Sequence, residues 1–159
     1  MRTLEKALVV QHKSSEKITL LAHMDEGTYF ASGINATQKY LTLYGNYYIE
    51  IKRDQTSKQP LFFGKYAHIS LHRLRFISDD YLVARIDKDS QLVFNDNTIA
   101  STAVVGNCFE IEGGQFLITN LKLDFKINSE RRISNFVQFG KHGGYLEVHK
   151  TSLEGITIG

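Results

Sequence analysis

Cysteine, proline and tryptophan are nearly missing from this chain: among 159 residues stand one cysteine, Cys108, one proline, Pro60, and no tryptophan. A lone cysteine excludes an intrachain disulfide and any site built from clustered thiolates. No apolar run approaches the roughly 20 residues of a membrane-spanning helix. The N-terminal "MRTLEKALVVQHKSSEK" has neither the apolar stretch nor the small-residue cleavage site of a secretory signal. Cytoplasmic residence is the expectation from these absences, with non-classical export left open. Charge of one sign is also missing: 19 Lys and Arg against 17 Asp and Glu leave a net charge of +2, too little to steer the protein toward nucleic acid or an anionic membrane.

What is present belongs to a folded domain. Hydrophobic residues at 42% and charged residues at 23% exclude disorder, and the length is that of one domain, residues 1–159. The apolar segments are short and alternate, as in "ITLLAH" from Ile18, "YYIEIKR" from Tyr47, "HISLHRLRF" from His68, "QLVFND" from Gln91 and "YLEVHK" from Tyr145. Period two with Ile, Val, Tyr and Phe predicts half-buried antiparallel strands. Turn clusters such as "SDD", "DKDS", "NDN" and "EGG" separate them. A helical stripe is hard to find, with "RTLEKALVV" its best candidate, so the class is all-β.

The chain also repeats itself. Units beginning at Tyr40, Tyr81 and Phe116 each open on aromatic-Leu, continue into a second alternating strand and close on a glycine, at Gly64, Gly106 and Gly140. Repeats near 40–80, 81–115 and 116–159, after leading strands in 1–39, predict a single-domain β-trefoil with a pseudo-threefold axis. Another closed β-barrel or a β-sandwich is the alternative.

From Ile69 to Ile111 the residues resemble the repeat of the fascin and hisactophilin group of β-trefoils. The elements that match are Ile69 and Leu71, the turn at Asp79 and Asp80, Tyr81-Leu82-Val83-Ala84, the turn from Asp87 to Ser90, Leu92 to Phe94, and Phe109-Glu110-Ile111. This resemblance implies a trefoil fold and a non-enzymatic binding module for proteins or glycans.

Catalytic and metal signatures are missing. His68 and His72 lie about 13 Å apart on a strand at roughly 3.3 Å per residue, too far to share a metal. No HExxH, no histidine pair at ligand spacing and no Gly-x-Ser-x-Gly elbow occurs. Cys108, beside Phe109 in an alternating strand, reads as a small buried side chain, and the paired aspartates read as turn formers. No catalytic residue, metal ligand or cofactor is therefore expected.

Binding candidates remain. In "GNYYIEIKRDQ" alternation sends Ile49 and Ile51 inward and leaves Tyr48, Glu50 and Lys52 in water, with Tyr47 adjoining. Exposed tyrosine beside charge is the composition of interfaces and sugar-binding shelves. In "HRLRF" alternation places Arg73 and Arg75 on one face and Leu74 and Phe76 on the other, so the two guanidiniums can grip an anion between them. Tyr47, Tyr48, Lys52, Arg73 and Arg75 are the expected contact surface for a protein or glycan ligand. A small all-β enzyme or ligand-binding barrel, and a structural subunit of a viral or secretion assembly, are the competing expectations.

Overall fold

The computed structural model describes residues 2–13, 18–23, 25–46, 48–77, 82–101, 107–125, 135–152 and 158–159. A short helix, α1 (Leu4–Ala7), and a strand, β1 (Val9–Lys13), come first. The chain then lays down strands in threes: β2 (Ile18–His23), β3 (Gly27–Ala31) and β4 (Ile34–Asn35), then β5 (Lys39–Tyr44), β6 (Ile49–Arg53) and β7 (Phe62–Gly64). The pattern continues with β8 (His68–His72), β9 (Arg75–Ile77) and β10 (Ala84–Asp87), then β11 (Gln91–Asn95), β12 (Thr98–Ser101) and β13 (Phe109–Glu112). It ends with β14 (Gln115–Thr119), β15 (Lys122–Phe125), β16 (Val137–Phe139) and β17 (Tyr145–His149).

Each strand pairs in parallel with its counterpart one turn away, except β1, which lies antiparallel to β2. The result is three sheets, of order β1-β2-β5-β8-β11-β14-β17, β3-β6-β9-β12-β15 and β4-β7-β10-β13-β16. The protein is a β-solenoid. The expected trefoil, closed barrel or sandwich is overturned, and with it the resemblance to the fascin and hisactophilin repeat.

Alternation marked most of the strands, but the antiparallel pairing expected of them is overturned: every strand pair except β1–β2 is parallel. Parallel sheets are usually buried on both faces and read as continuous apolar runs, so half-buried alternation pointed to antiparallel pairing. A solenoid breaks that association, because its three parallel sheets enclose one core and each turns its other face to water. Inward residues stack in columns, such as Leu41, Ile69, Leu92, Phe116 and Leu146, which follow one another at 28, 23, 24 and 30 residues.

That register also displaces the proposed repeats. Tyr40 heads an outward column with His68, Gln91, Gln115 and Tyr145, whereas Phe116 belongs to the inward column one residue along. Gly64 is in register with Ile86, Ile111 and Phe139, and Gly140 follows one place later. Tyr81, the turn at Asp79 and Asp80, and Gly106 lie outside the described residues.

The corners explain the uneven period. After the first sheet the chain bends at Arg73, Asp96, Asn120 and Lys150, all left-handed at φ 50 to 54°. Before it, Gln38, Tyr66 and Asp89 do the same at φ 51 to 57°. One left-handed residue turns a corner without reversing the chain, and Asn and Asp tolerate that conformation better than most. The corner between second and third sheets carries the variation, from two residues between β3 and β4 to eleven between β15 and β16.

Six phenylalanines with no exposed surface form the spine of the core: Phe62, Phe76, Phe94, Phe109, Phe116 and Phe136. Ring centroids lie 6.1 Å apart for Phe62–Phe76, 5.1 Å for Phe76–Phe94, 5.4 Å for Phe94–Phe109 and 4.6 Å for Phe109–Phe116. Cys108 is buried, as expected, although it lies just before β13 and next to the equally buried Phe109, so alternation does not account for it. At the N-terminal end α1 seats Leu4 in the core, and Glu5 Oε1 accepts from Ser32 N at 2.8 Å and Ser32 Oγ at 2.9 Å. Among the described residues no helix is long and apolar enough to cross a membrane.

Candidate functional site

The outer face of the first sheet differs in chemistry from the other two. On β5, β8, β11, β14 and β17 the outward residues form three columns. These are Tyr40-His68-Gln91-Gln115-Tyr145, Thr42-Ser70-Val93-Leu117-Glu147 and Tyr44-His72-Asn95-Thr119-His149. No Lys or Arg stands among these positions, and Glu147 is their one carboxylate. In a chain with 36 acidic and basic residues that neutrality marks the face out. Rungs about 4.8 Å apart and outward positions about 6.6 Å apart along each strand make it a flat grid of hydrogen-bonding groups.

Aromatic contacts order the grid. Tyr44 stacks on His72 at 4.7 Å with 19° between planes, and Tyr40 tilts against His68 at 5.4 Å. Tyr40, Tyr44 and Tyr145 are exposed at 41%, 44% and 52%. His72 Nε2 lies 2.9 Å from Ser70 Oγ, and its Nδ1 lies 3.4 Å from Asn95 Nδ2. Burial, reinforced by the Arg73 charge and opposed by Asp96, holds the His72 pKa below the usual imidazole value. On β17, Glu147 bonds both Tyr145, at 3.0 Å, and His149. The bond from His149, then that from Tyr145, lowers the Glu147 pKa, while the same contact raises that of Tyr145.

The residues singled out in the sequence lie elsewhere. Tyr48 is exposed just before β6 in the second sheet, with its amide bonded to Asn46 Oδ1 at 3.1 Å, and Tyr47 lies outside the described residues. Lys52 pairs with Glu50 at 3.0 Å. Arg75 lies 2.7 Å from Asp124 and 3.7 Å from Glu50, so its guanidinium is already engaged by carboxylates. Leu74 and Phe76 are buried as alternation implied, yet "HRLRF" is not one strand. β8 ends at His72, Arg73 turns the corner at φ 54°, and β9 begins at Arg75. Arg73 therefore stands exposed at a corner, apart from the strand that carries Arg75.

Alternation in "HISLH" already placed His68, Ser70 and His72 on one side. Their neighbours Tyr40, Tyr44, Gln91 and Asn95 come from other rungs, and no local pattern announces that adjacency. Among the described residues no group of three or more His, Cys, Asp or Glu could hold a metal ion. No family model matches the chain, and neither the curated proteins nor the solved structures contain a significant match to it.

Proposed function

We propose that this protein is a binding scaffold whose first-sheet face recognises a neutral glycan. The observation that carries the reading is the flat grid of Tyr, His, Gln, Asn, Ser and Thr, interrupted by Val93 and Leu117, with no Lys or Arg and with Glu147 as its one carboxylate. Sugar hydroxyls donate and accept at once, and so do these side chains taken together. Neutral groups also lose less hydration free energy on burial than charges do. An extended oligosaccharide lying across the rungs would meet hydrogen-bonding side chains of the two outer columns on each rung, which favours a chain over a single sugar.

Screening the protein against uncharged linear oligosaccharides, followed by calorimetry on any ligand found, tests the reading. Replacing Gln91 and Gln115 together by Ala should weaken binding by about tenfold, the scale of one or two net hydrogen bonds. Affinity should be nearly unchanged between low and high salt, since no ion pairs are formed. Binding confined to anionic glycans, or indifferent to the double substitution, rejects the proposal. A protein partner is the second reading, favoured by Tyr48 at 72% exposure close to the ion-paired second sheet.

A further inference from the structure

Ser70 and His72 occupy alternate outward positions of β8, with Ser70 Oγ 2.9 Å from His72 Nε2. The far ring nitrogen, Nδ1, faces the Asn95 amide one rung away at 3.4 Å. Hydroxyl, imidazole and side-chain amide thus follow one another in the order of a serine nucleophile, its base and the group that orients the base. We propose that Ser70 is a histidine-assisted nucleophile that accepts an acyl group from a carboxylic ester, with His72 as base and Asn95 as a positioning residue.

Three observations support the assignment. The imidazole is fixed from the side by Tyr44, stacked at 4.7 Å. Burial, with the nearby Arg73 charge, keeps the ring neutral against the opposing pull of Asp96, so it is in its basic form at neutral pH. Its two nitrogens are also engaged by groups of the right kind. As placed, Asn95 Nδ2 donates to Nδ1 and the Nε2 proton points at Ser70. A half-turn of the amide, which exchanges N and O within the same shape, presents Oδ1 to an Nδ1 proton. Nε2 is then open to accept the Ser70 proton.

In the proposed step, Ser70 Oγ bonds to the ester carbonyl carbon as its proton passes to His72 Nε2. The ester C–O bond breaks, and the departing alkoxide takes that proton as an alcohol. Water later attacks the acyl carbon, losing a proton to His72, and the carboxylic acid leaves as Ser70 regains its hydrogen. Of the two residues in register with Ser70, Thr42 on β5 and Val93 on β11, Thr42 alone carries a hydroxyl to offer the developing oxyanion. A hydroxyl is a weaker anchor than a pair of free backbone N–H groups, so acylation and deacylation should both be slow. The inference does not depend on glycan binding, because a small reactive probe needs no sugar.

The test is to incubate the full chain with a fluorophosphonate probe and locate the adduct by peptide mapping, with circular dichroism to verify that each variant is folded. The expected result is one adduct, at Ser70, absent in Ser70→Ala. Labelling should slow by about a hundredfold in His72→Gln, the lower end of what general-base assistance contributes. Asn95→Ala should slow it, and Asn95→Asp should restore or exceed the native rate, since a carboxylate both orients and stabilises the imidazolium. Native protein that remains unlabelled at Ser70, or a labelling rate unchanged in His72→Gln, overturns the proposal. Equal rates in Asn95→Ala and the native chain remove Asn95 from it.

Discussion

Asn97 shows how much one side chain settles in a stacked fold. It is 1% exposed at a corner where the rungs on either side place Leu74 and Leu121. Its Oδ1 accepts from Leu74 N at 2.9 Å, and its Nδ2 donates to Leu71 O at 2.8 Å, so one amide ties consecutive rungs together. Asn97→Ala should destabilise by about 2–4 kcal/mol, since two buried backbone groups lose their partners at once, measurable as a lower urea midpoint. His72 makes a residue-scale prediction about pH. Its folded-state pKa lies below the unfolded value of about 6.5, so in acid the unfolded chain binds the extra proton. Stability should therefore be complete above about pH 6.5 and fall as the pH drops toward the folded value. His72→Gln should remove that part of the acid sensitivity, as read by denaturant titrations at a series of pH values.

At the scale of elements, strands and corners divide the work. The corners after the first sheet extend the ladder around the bend: Arg73 N, Asp96 N and Asn120 N donate to Asn95 O, Thr119 O and His149 O at 3.0 to 3.1 Å. Left-handed turns are therefore part of the stacking, and the cluster "NDN" in the sequence marks a corner rather than a hairpin. Inside, Phe94 touches Phe76, Phe109 and Phe116 and so joins the successive rungs. Phe94→Ala should cost about 3–5 kcal/mol, the usual range for emptying a phenylalanine site in a packed core. The same substitution at Tyr48, 72% exposed, should change stability by less than about 0.5 kcal/mol. Calorimetric comparison of the two separates spine from surface.

At the scale of the whole molecule, a solenoid behaves as a row of neighbours, each rung held by those beside it. Leu146 and Val148 on β17 are only half-buried, while their column-mates on β5, β8, β11 and β14 are fully enclosed. Leu146→Ala should accordingly speed hydrogen exchange in β16 and β17 and leave β5 and β8 nearly unchanged. Loss of protection throughout the chain would show that it unfolds as one unit. The corners should respond unequally to insertion. Four Gly-Ser residues placed between Lys58 and Gln59, in the eight-residue connection from β6 to β7, should cost less than about 1 kcal/mol, because loop-closure entropy grows slowly with length. The same insertion at Asp96, where two residues join β11 to β12, should cost several times more by breaking the corner ladder.

The amino-acid sequence by itself determined that the chain is all-β, which segments are strands and which side of most strands faces inward. Leu41, Ile49, Ile51, Leu74, Phe76 and Phe94 are all legible as core, because alternation reports on the two faces of a strand and on nothing farther away. Only the tertiary structure decided that the strands pair in parallel, 21 to 30 residues apart. Corner connections of changing length conceal that period, so that matches of about forty residues stand out in the sequence instead. The neutral face is hidden for the same reason: Tyr44, His72 and Asn95 are far apart in the chain and become neighbours only when the rungs stack. Partner choice between strands is a long-range property, set by which columns close around one core, and no pattern within a single strand encodes it.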